Sequence, residues 1–347
     1  MNAPAAGRVL VVDAGSASLH LVLVGGDDTV LARSDVGSPR ELTDLGWVPP
    51  DAVGHRFVHG GPRLSGHTPV DGEVRSLLQE AAELAPLHLP PALHALDAVR
   101  RLLPDVPHVA CLDTVFHARM PAAAREYAVP EEWRTRYGLR RYGFHGLSYA
   151  WALDRAARLL DRPADSLHLV LAHLGGGCSA CAVRDGVSVD TTMGLTPLEG
   201  LVMSHRSGTV DPGALTWLQR RHGLTAEEIE DVLNHRSGLL GLSGTSDDTR
   251  DLVAARAAGD ERAELALACF THSARRAIAS MAASLDRLDA LVLTGEIGED
   301  QPEVREEICA GLPVLGLAGP RAATPVFVVP TGEPQQIARE TRAVLAA

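Results

Sequence analysis

Val9-Leu10-Val11-Val12-Asp13-Ala14-Gly15-Ser16 reads as a strand of four consecutive apolar residues that ends in an acid, a glycine and a hydroxyl. Glycine there supplies a turn of positive φ, and such a turn lets backbone N–H groups come close to a phosphate. Two distant stretches end in the same way: Ala172-His173-Leu174-Gly175-Gly176-Gly177 and Leu291-Val292-Leu293-Thr294-Gly295-Glu296-Ile297-Gly298. A single glycine turn after a strand is an ordinary turn. Three of them, with hydroxyls or acids alongside, read as an α/β protein that handles nucleotides.

The chain is long enough, at 347 residues, for two domains with separate cores, and its 46% hydrophobic and 22% charged content is that of a globular protein. The net charge of −12 argues against a nucleic-acid backbone or an anionic membrane as partner, because both need a basic face. All 32 basic residues are arginine. No lysine can therefore clamp a phosphate or form a Schiff base, and fixed cations must be Arg, with His helping only when protonated. Residues 1–7 lack a basic region followed by an apolar run, and no stretch is apolar enough to span a bilayer, so a cytoplasmic location is expected. Cys111, Cys178, Cys181, Cys269 and Cys309 sit mainly in apolar settings and are expected as free thiols. Cys178 and Cys181 form a CxxC, but a spacing of three in a strand puts the side chains on opposite faces.

Strand-like runs at 9–12, 108–112, 167–171, 291–293 and 326–329 alternate with helical patterns, the signature of an α/β fold. The clearest helix covers 263–285, where Phe270, Ala274, Ile278 and Met281 recur at helical spacing and read as core. No low-complexity linker divides the chain, and a domain boundary is expected near 114–121.

Several short motifs carry chemistry, each beside a plainer reading. The turn at 13–18 could hold a terminal phosphate, with Asp13 reaching a cation through water, or could simply close a hairpin. Gly54-His55-Arg56-Phe57-Val58-His59-Gly60-Gly61 sets an arginine inside an apolar run, where it requires either a bound anion or a buried salt bridge. Arg206, in Ser204-His205-Arg206-Ser207-Gly208-Thr209, carries the same ambiguity. His145, between glycines in Arg140-Arg141-Tyr142-Gly143-Phe144-His145-Gly146-Leu147-Ser148, is either a donor to a developing phosphate oxygen or a satisfied core histidine. Asp113 ends a strand, where ligand crevices form in α/β sheets.

In order and content these blocks resemble the acetate and propionate kinase family, with further matches at 84–90, 190–212, 241–250 and 330–339 and in the run Met193-Gly194-Leu195-Thr196-Pro197-Leu198-Glu199-Gly200-Leu201-Val202-Met203. The resemblance covers essentially the whole chain and identifies it as a short, divergent member. It implies two ribonuclease-H-like α/β domains of the actin and hexokinase type, with an interdomain active-site cleft. The first domain would comprise 1–115 plus 331–347, and the nucleotide-binding domain 116–330. It further implies reversible transfer of the ATP γ-phosphoryl group to acetate or propionate, directly and in line, giving an acyl phosphate and ADP. Arg56, Asp113, His145 and Arg206 would be the catalytic residues. Val58, Leu87, Phe144 and Pro197 would form a small apolar pocket for the alkyl end. The nucleotide would lie along Ser16, Ser18, His20, His173, Gly175, Gly176, Gly177, Asp248, Arg250, Gly295, Glu296 and Gly298. Asp13 and Glu333 would hold Mg²⁺ or Mn²⁺, and a homodimer is implied.

The chain departs from the family pattern at Asp13 (usually Asn), His20 (usually Lys), Gly176 (usually Asn) and Glu296 (usually Gly). Glu296 adds bulk and negative charge where backbone should approach the nucleotide, and His20 weakens a fixed cation. These changes leave a second reading open: a catalytically weakened protein of the same fold that binds or senses nucleotide or acyl phosphate. A sugar kinase of the same superfamily is the more distant alternative, since it has no reason to keep two anion-facing arginines.

Overall fold

The computed structural model describes residues 7–15, 18–320 and 322–347, so Ser16 lies outside the described residues. The chain divides into two compact units: Met1–Ala118 with Phe144–Trp151 and Gly332–Ala347, and Arg119–Gly143 with Ala152–Thr331.

The first unit is built on a six-stranded sheet in the order β3-β2-β1-β4-β6-β5. Its strands are β1 (Val9–Ala14), β2 (Leu19–Val24), β3 (Val30–Val36), β4 (Ala52–Phe57), β5 (Thr68–Pro69) and β6 (His108–Leu112). β1, β4 and β6 run parallel, while β2 and β3 form an antiparallel hairpin edge. The unbroken apolar run of β1 has a direct cause. Val9 and Val11 pack with Ile337 and Ala338 of the helix Glu333–Ala346, whereas Leu10 and Val12 pack with Ala95 and Val99 of the helix Leu89–Leu102. Both faces of the strand are thus buried, as parallel central strands require. Gly54 lets the C-terminal helix lie close on β4, because a Cβ there would overlap Thr341 and Ile337.

The second unit has a five-stranded sheet in the order β11-β10-β7-β8-β9, made of β7 (His168–Leu174), β8 (Cys178–Arg184), β9 (Val187–Thr191), β10 (Ala290–Thr294) and β11 (Val326–Val328). β7 to β9 form an antiparallel meander, and β10 and β11 join β7 in parallel. The helix expected at 263–285 spans Glu261–Ala282, capped by Asp260, and buries Phe270, Ala274, Ile278 and Met281 against this sheet. Cys178 and Cys181 lie on β8 and are free and buried. Burial pushes both thiols up to about 12, which makes them poor nucleophiles and poor metal ligands.

Two sequence expectations need correction. The five strand-like runs omitted the hairpin strands β2 and β3 and the short β5 and β9, whose mixed polar content hides them. The domain division at 115/116 assigned residues 144–151 to the second domain. In the structure they pack with the first unit, and Gly146 N donates to Asp113 O at 3.0 Å.

Candidate active site

In the first unit the carboxyl ends of the parallel strands gather one arginine and three acids. Arg56, near the end of β4, donates from Nη1 to Asp13 Oδ2 at 3.0 Å and from Nη2 to Asp113 Oδ2 at 2.9 Å, and Glu333 Oε2 lies 3.7 Å from Nη1. Asp13 comes from β1, Asp113 follows β6, and Glu333 opens the C-terminal helix. Of the two readings of Arg56, the salt bridge describes its resting state. Burial opposes its charge most strongly, yet Asp113, Asp13 and Glu333 together hold its pKa well above the ordinary value. Burial also drives the Asp113 carboxyl up to about 6 against the pull of Arg56, with Glu333 and Asp13 adding to the rise.

Asp113 Oδ1 is buried and has no hydrogen-bond partner. Three carboxylates around a single guanidinium, one of them with an unused oxygen, are the donor chemistry that Mg²⁺ or Mn²⁺ takes. Among the described residues no group of three or more acidic, His or Cys side chains converges on one point. A cation here would therefore draw most of its ligands from water and phosphate, as Mg²⁺ commonly does.

His145 is half-buried and adopts φ 58°, a left-handed backbone that costs a non-glycine residue about 1 kcal/mol or more. The helix Gly146–Leu160 begins immediately after it. Gly146 has no room for a Cβ, which would overlap Asp113 O, so the backbone beside His145 is pressed against that of Asp113. Phe144 is fully buried with His59 edge-on at 5.3 Å, and Val58 packs on the neighbouring apolar cluster. Leu87, expected in the same apolar pocket, is 43% exposed.

Ser18 and His20 lie on the β1–β2 hairpin, whose turn is closed by Gly15 N donating to Ser18 O at 2.9 Å. His20 Nδ1 is 2.6 Å from Asp35 Oδ1, and its Nε2 is 3.4 Å from Ser18 Oγ. The cation expected at this position is thus already engaged by a carboxylate. Gly332, another unusual residue, has a steric cause: a Cβ there would overlap the Trp151 indole.

In the second unit a cavity of about 690 Å³ is lined by Gly176, Gly177, Arg206, Asp248, Arg250 and Glu296, all singled out in the sequence. His205, Asp247, Thr249 and Gln301 line it as well. They carry no local sequence signal: the His205 Nε2 to Asp247 Oδ2 pair, at 2.9 Å, joins positions far apart in the chain. His173, Gly175, Gly295 and Gly298 are not among the lining residues. Gly295 instead makes the turn before the helix Glu296–Asp300, with φ 83° and no space for a Cβ beside Leu174 O. Asp248 caps the helix Thr249–Ala257 and pairs with Arg250 at 2.5 Å. Glu296 is exposed at the cavity wall, and its charge supports that of Arg250.

Arg206 differs from Arg56. Its Nη1 donates to the Pro197 carbonyl at 2.7 Å, and among the described residues no carboxylate pairs with it. Burial lowers its pKa, with only weak support from Cys178, so the guanidinium is desolvated and its charge is uncompensated.

The acetokinase family profile matches residues 49–339. The chain belongs to the acetokinase family. An acetate kinase of Deinococcus radiodurans is 47% identical over 88% of this chain and 81% of its own length. The crystal structure of Porphyromonas gingivalis acetate kinase superposes with a TM-score of 0.90 at 33% identity, covering 98% of this chain and all of that one. A propionate kinase from Francisella tularensis superposes at 0.91 with 31% identity, over 97% of this chain and 100% of its own. Among acetokinases this chain is thus unusual at the cavity wall, where Glu296 stands, and ordinary in its arginines.

Proposed function

We propose that this acetokinase transfers the γ-phosphoryl group of ATP reversibly to acetate or propionate, forming an acyl phosphate and ADP by direct in-line displacement. The observation that carries the reading is Arg206: a desolvated guanidinium, oriented by a carbonyl and paired with no carboxylate, next to a glycine-lined cavity of nucleotide size. Such a group gains most from an arriving anion, and a planar fork suits carboxylate or phosphoryl oxygens. In this reading the nucleotide occupies the second-unit cavity, with Gly176 and Gly177 leaving room for phosphate and Asp248 and Arg250 at its rim.

The first unit contributes the remaining charges. Asp113 and Asp13 hold Arg56 in one orientation, and His145 donates to the equatorial oxygens of the transferring group. Val58, Phe144 and Pro197 bound the alkyl end, and the exposed Leu87 is left to close over it. Asp13 and Glu333, with the unused Asp113 oxygen, would hold Mg²⁺, which supplies charge neutralisation on the phosphate oxygens when bound. No side-chain nucleophile is needed, since positioning and charge neutralisation lower the barrier. The homodimer belongs to this proposal, with sedimentation velocity as its measure.

The sensing alternative draws on the acidic wall formed by Asp247, Asp248, Glu296 and Asp300, which disfavours a polyphosphate. A hydroxamate assay with ATP, Mg²⁺ and acetate, propionate or butyrate separates the readings. Acyl hydroxamate is expected with wild type, and Arg206→Ala should lower kcat/KM by about 10²- to 10³-fold. Folded wild-type protein that binds ATP calorimetrically and yields no hydroxamate with any of the three acids would establish the sensor instead.

A further inference from the structure

Arg206 is aimed by a carbonyl, so its direction depends on whatever holds Pro197. Pro197 lies in the segment between β9 and the helix Pro212–His222, and this segment is braced by side chains that touch neither Arg206 nor the cavity. Arg141 donates from Nη1 to Thr192 O at 2.8 Å and from Nη2 to Glu199 Oε1 at 2.9 Å, tying the two ends of the loop to one guanidinium. Tyr127 stands between them. Its hydroxyl donates to Glu199 Oε2 at 2.7 Å and accepts from Leu195 N at 3.0 Å. Arg141 also lies over the Tyr127 ring at 5.5 Å. Gly194 completes the brace, because a Cβ there would overlap both Glu199 and the Tyr127 hydroxyl.

The loop is therefore pinned at 192, 195 and 199, and the free carbonyl between the last two pins is the one that receives Arg206. We propose that Tyr127, Arg141 and Glu199 are positioning residues for Arg206, holding the Pro197 carbonyl so that the guanidinium is oriented without being neutralised. The charges of Arg141 and Glu199 cancel each other, which keeps a carboxylate two residues from Pro197 engaged elsewhere. Releasing the pins would leave Arg206 to find its orientation at each binding event, and ordering one long side chain on binding weakens affinity by up to about tenfold. This inference rests on the reading of Arg206 as the anion-binding residue.

The test is a double-mutant cycle on purified enzyme, reading kcat, the KM values for acetate and MgATP, and the thermal midpoint. Tyr127→Phe removes the hydroxyl from a half-buried ring and is expected to lower kcat/KM for acetate about tenfold, with the MgATP KM and the midpoint unchanged. In an Arg206→Lys background the same change should cost nothing further. Glu199→Gln, which preserves the shape of the brace, should retain activity within about threefold. A Tyr127→Phe loss that multiplies with Arg206→Lys, or one that moves the MgATP KM or the midpoint equally, would overturn the positioning role, as would no loss at all. Arg206→Ala with wild-type activity would instead overturn the reading of Arg206 itself.

Discussion

Two arginines that look alike in the sequence, each in a short glycine-bounded run, have opposite electrostatic surroundings. Arg56 meets Asp13, Asp113 and Glu333, while Arg206 meets only a carbonyl. Their positions in the chain carry this information nowhere, because the partners of Arg56 lie 43, 57 and 277 residues away by number. His20 is similar: the sequence shows a weakened cation, and the structure adds the Asp35 carboxylate on the neighbouring strand. Asp113 leads to a prediction at this scale. Burial raises its folded pKa to about 6 from an ordinary 3.8, so the fold favours the protonated form. The stability it contributes is fully present below about pH 4 and is lost as pH rises through about 6. In metal-free protein, Asp113→Asn should therefore gain thermal midpoint over wild type progressively from pH 4 to pH 7. A difference that stays flat or shrinks over that window would refute the buried-carboxylate account.

At the scale of elements, the segment around residue 146 joins fold to site. The helix Gly146–Leu160 can begin beside Asp113 only because residue 146 has no side chain, and His145 takes its left-handed backbone at that junction. Gly146→Ala should destabilise the protein by about 1–3 kcal/mol, the usual cost of forcing extra volume into a packed interior. Gly176→Ala serves as the control. A Cβ there meets nothing within 4 Å, and its chemical denaturation midpoint should match wild type. Equal midpoints for Gly146→Ala and wild type would show that the helix start can shift at little cost. The sequence singled out both glycines for their motifs, but it could not separate a glycine forced by close packing from one standing in open space.

Across the whole molecule, the residues expected at the nucleotide divide between the two units, with Ser18 and His20 in the first and the remaining described ones in the second. ATP or ADP added without a carboxylate should protect amides at 174–177, 204–206, 247–250 and 296–301 from hydrogen exchange. Protection confined to 13–20 and 52–57 would relocate the nucleotide to the first unit. The broader features of the chain were legible without coordinates. Apolar runs long enough to be buried on both faces specify parallel central strands, and glycines at their ends specify turns. The order of the motifs specifies the acetokinase family. These properties are local, since they follow from periodicity, side-chain volume and backbone freedom over a few residues. Other features are set only by tertiary structure: the three acids on Arg56, the uncompensated charge of Arg206, the His205–Asp247 wall of the cavity, and the Tyr127–Arg141–Glu199 brace. Each depends on electrostatics or hydrogen bonding between residues distant in the chain, and those interactions fall off within a few ångströms, so no reading of neighbours in sequence could supply them.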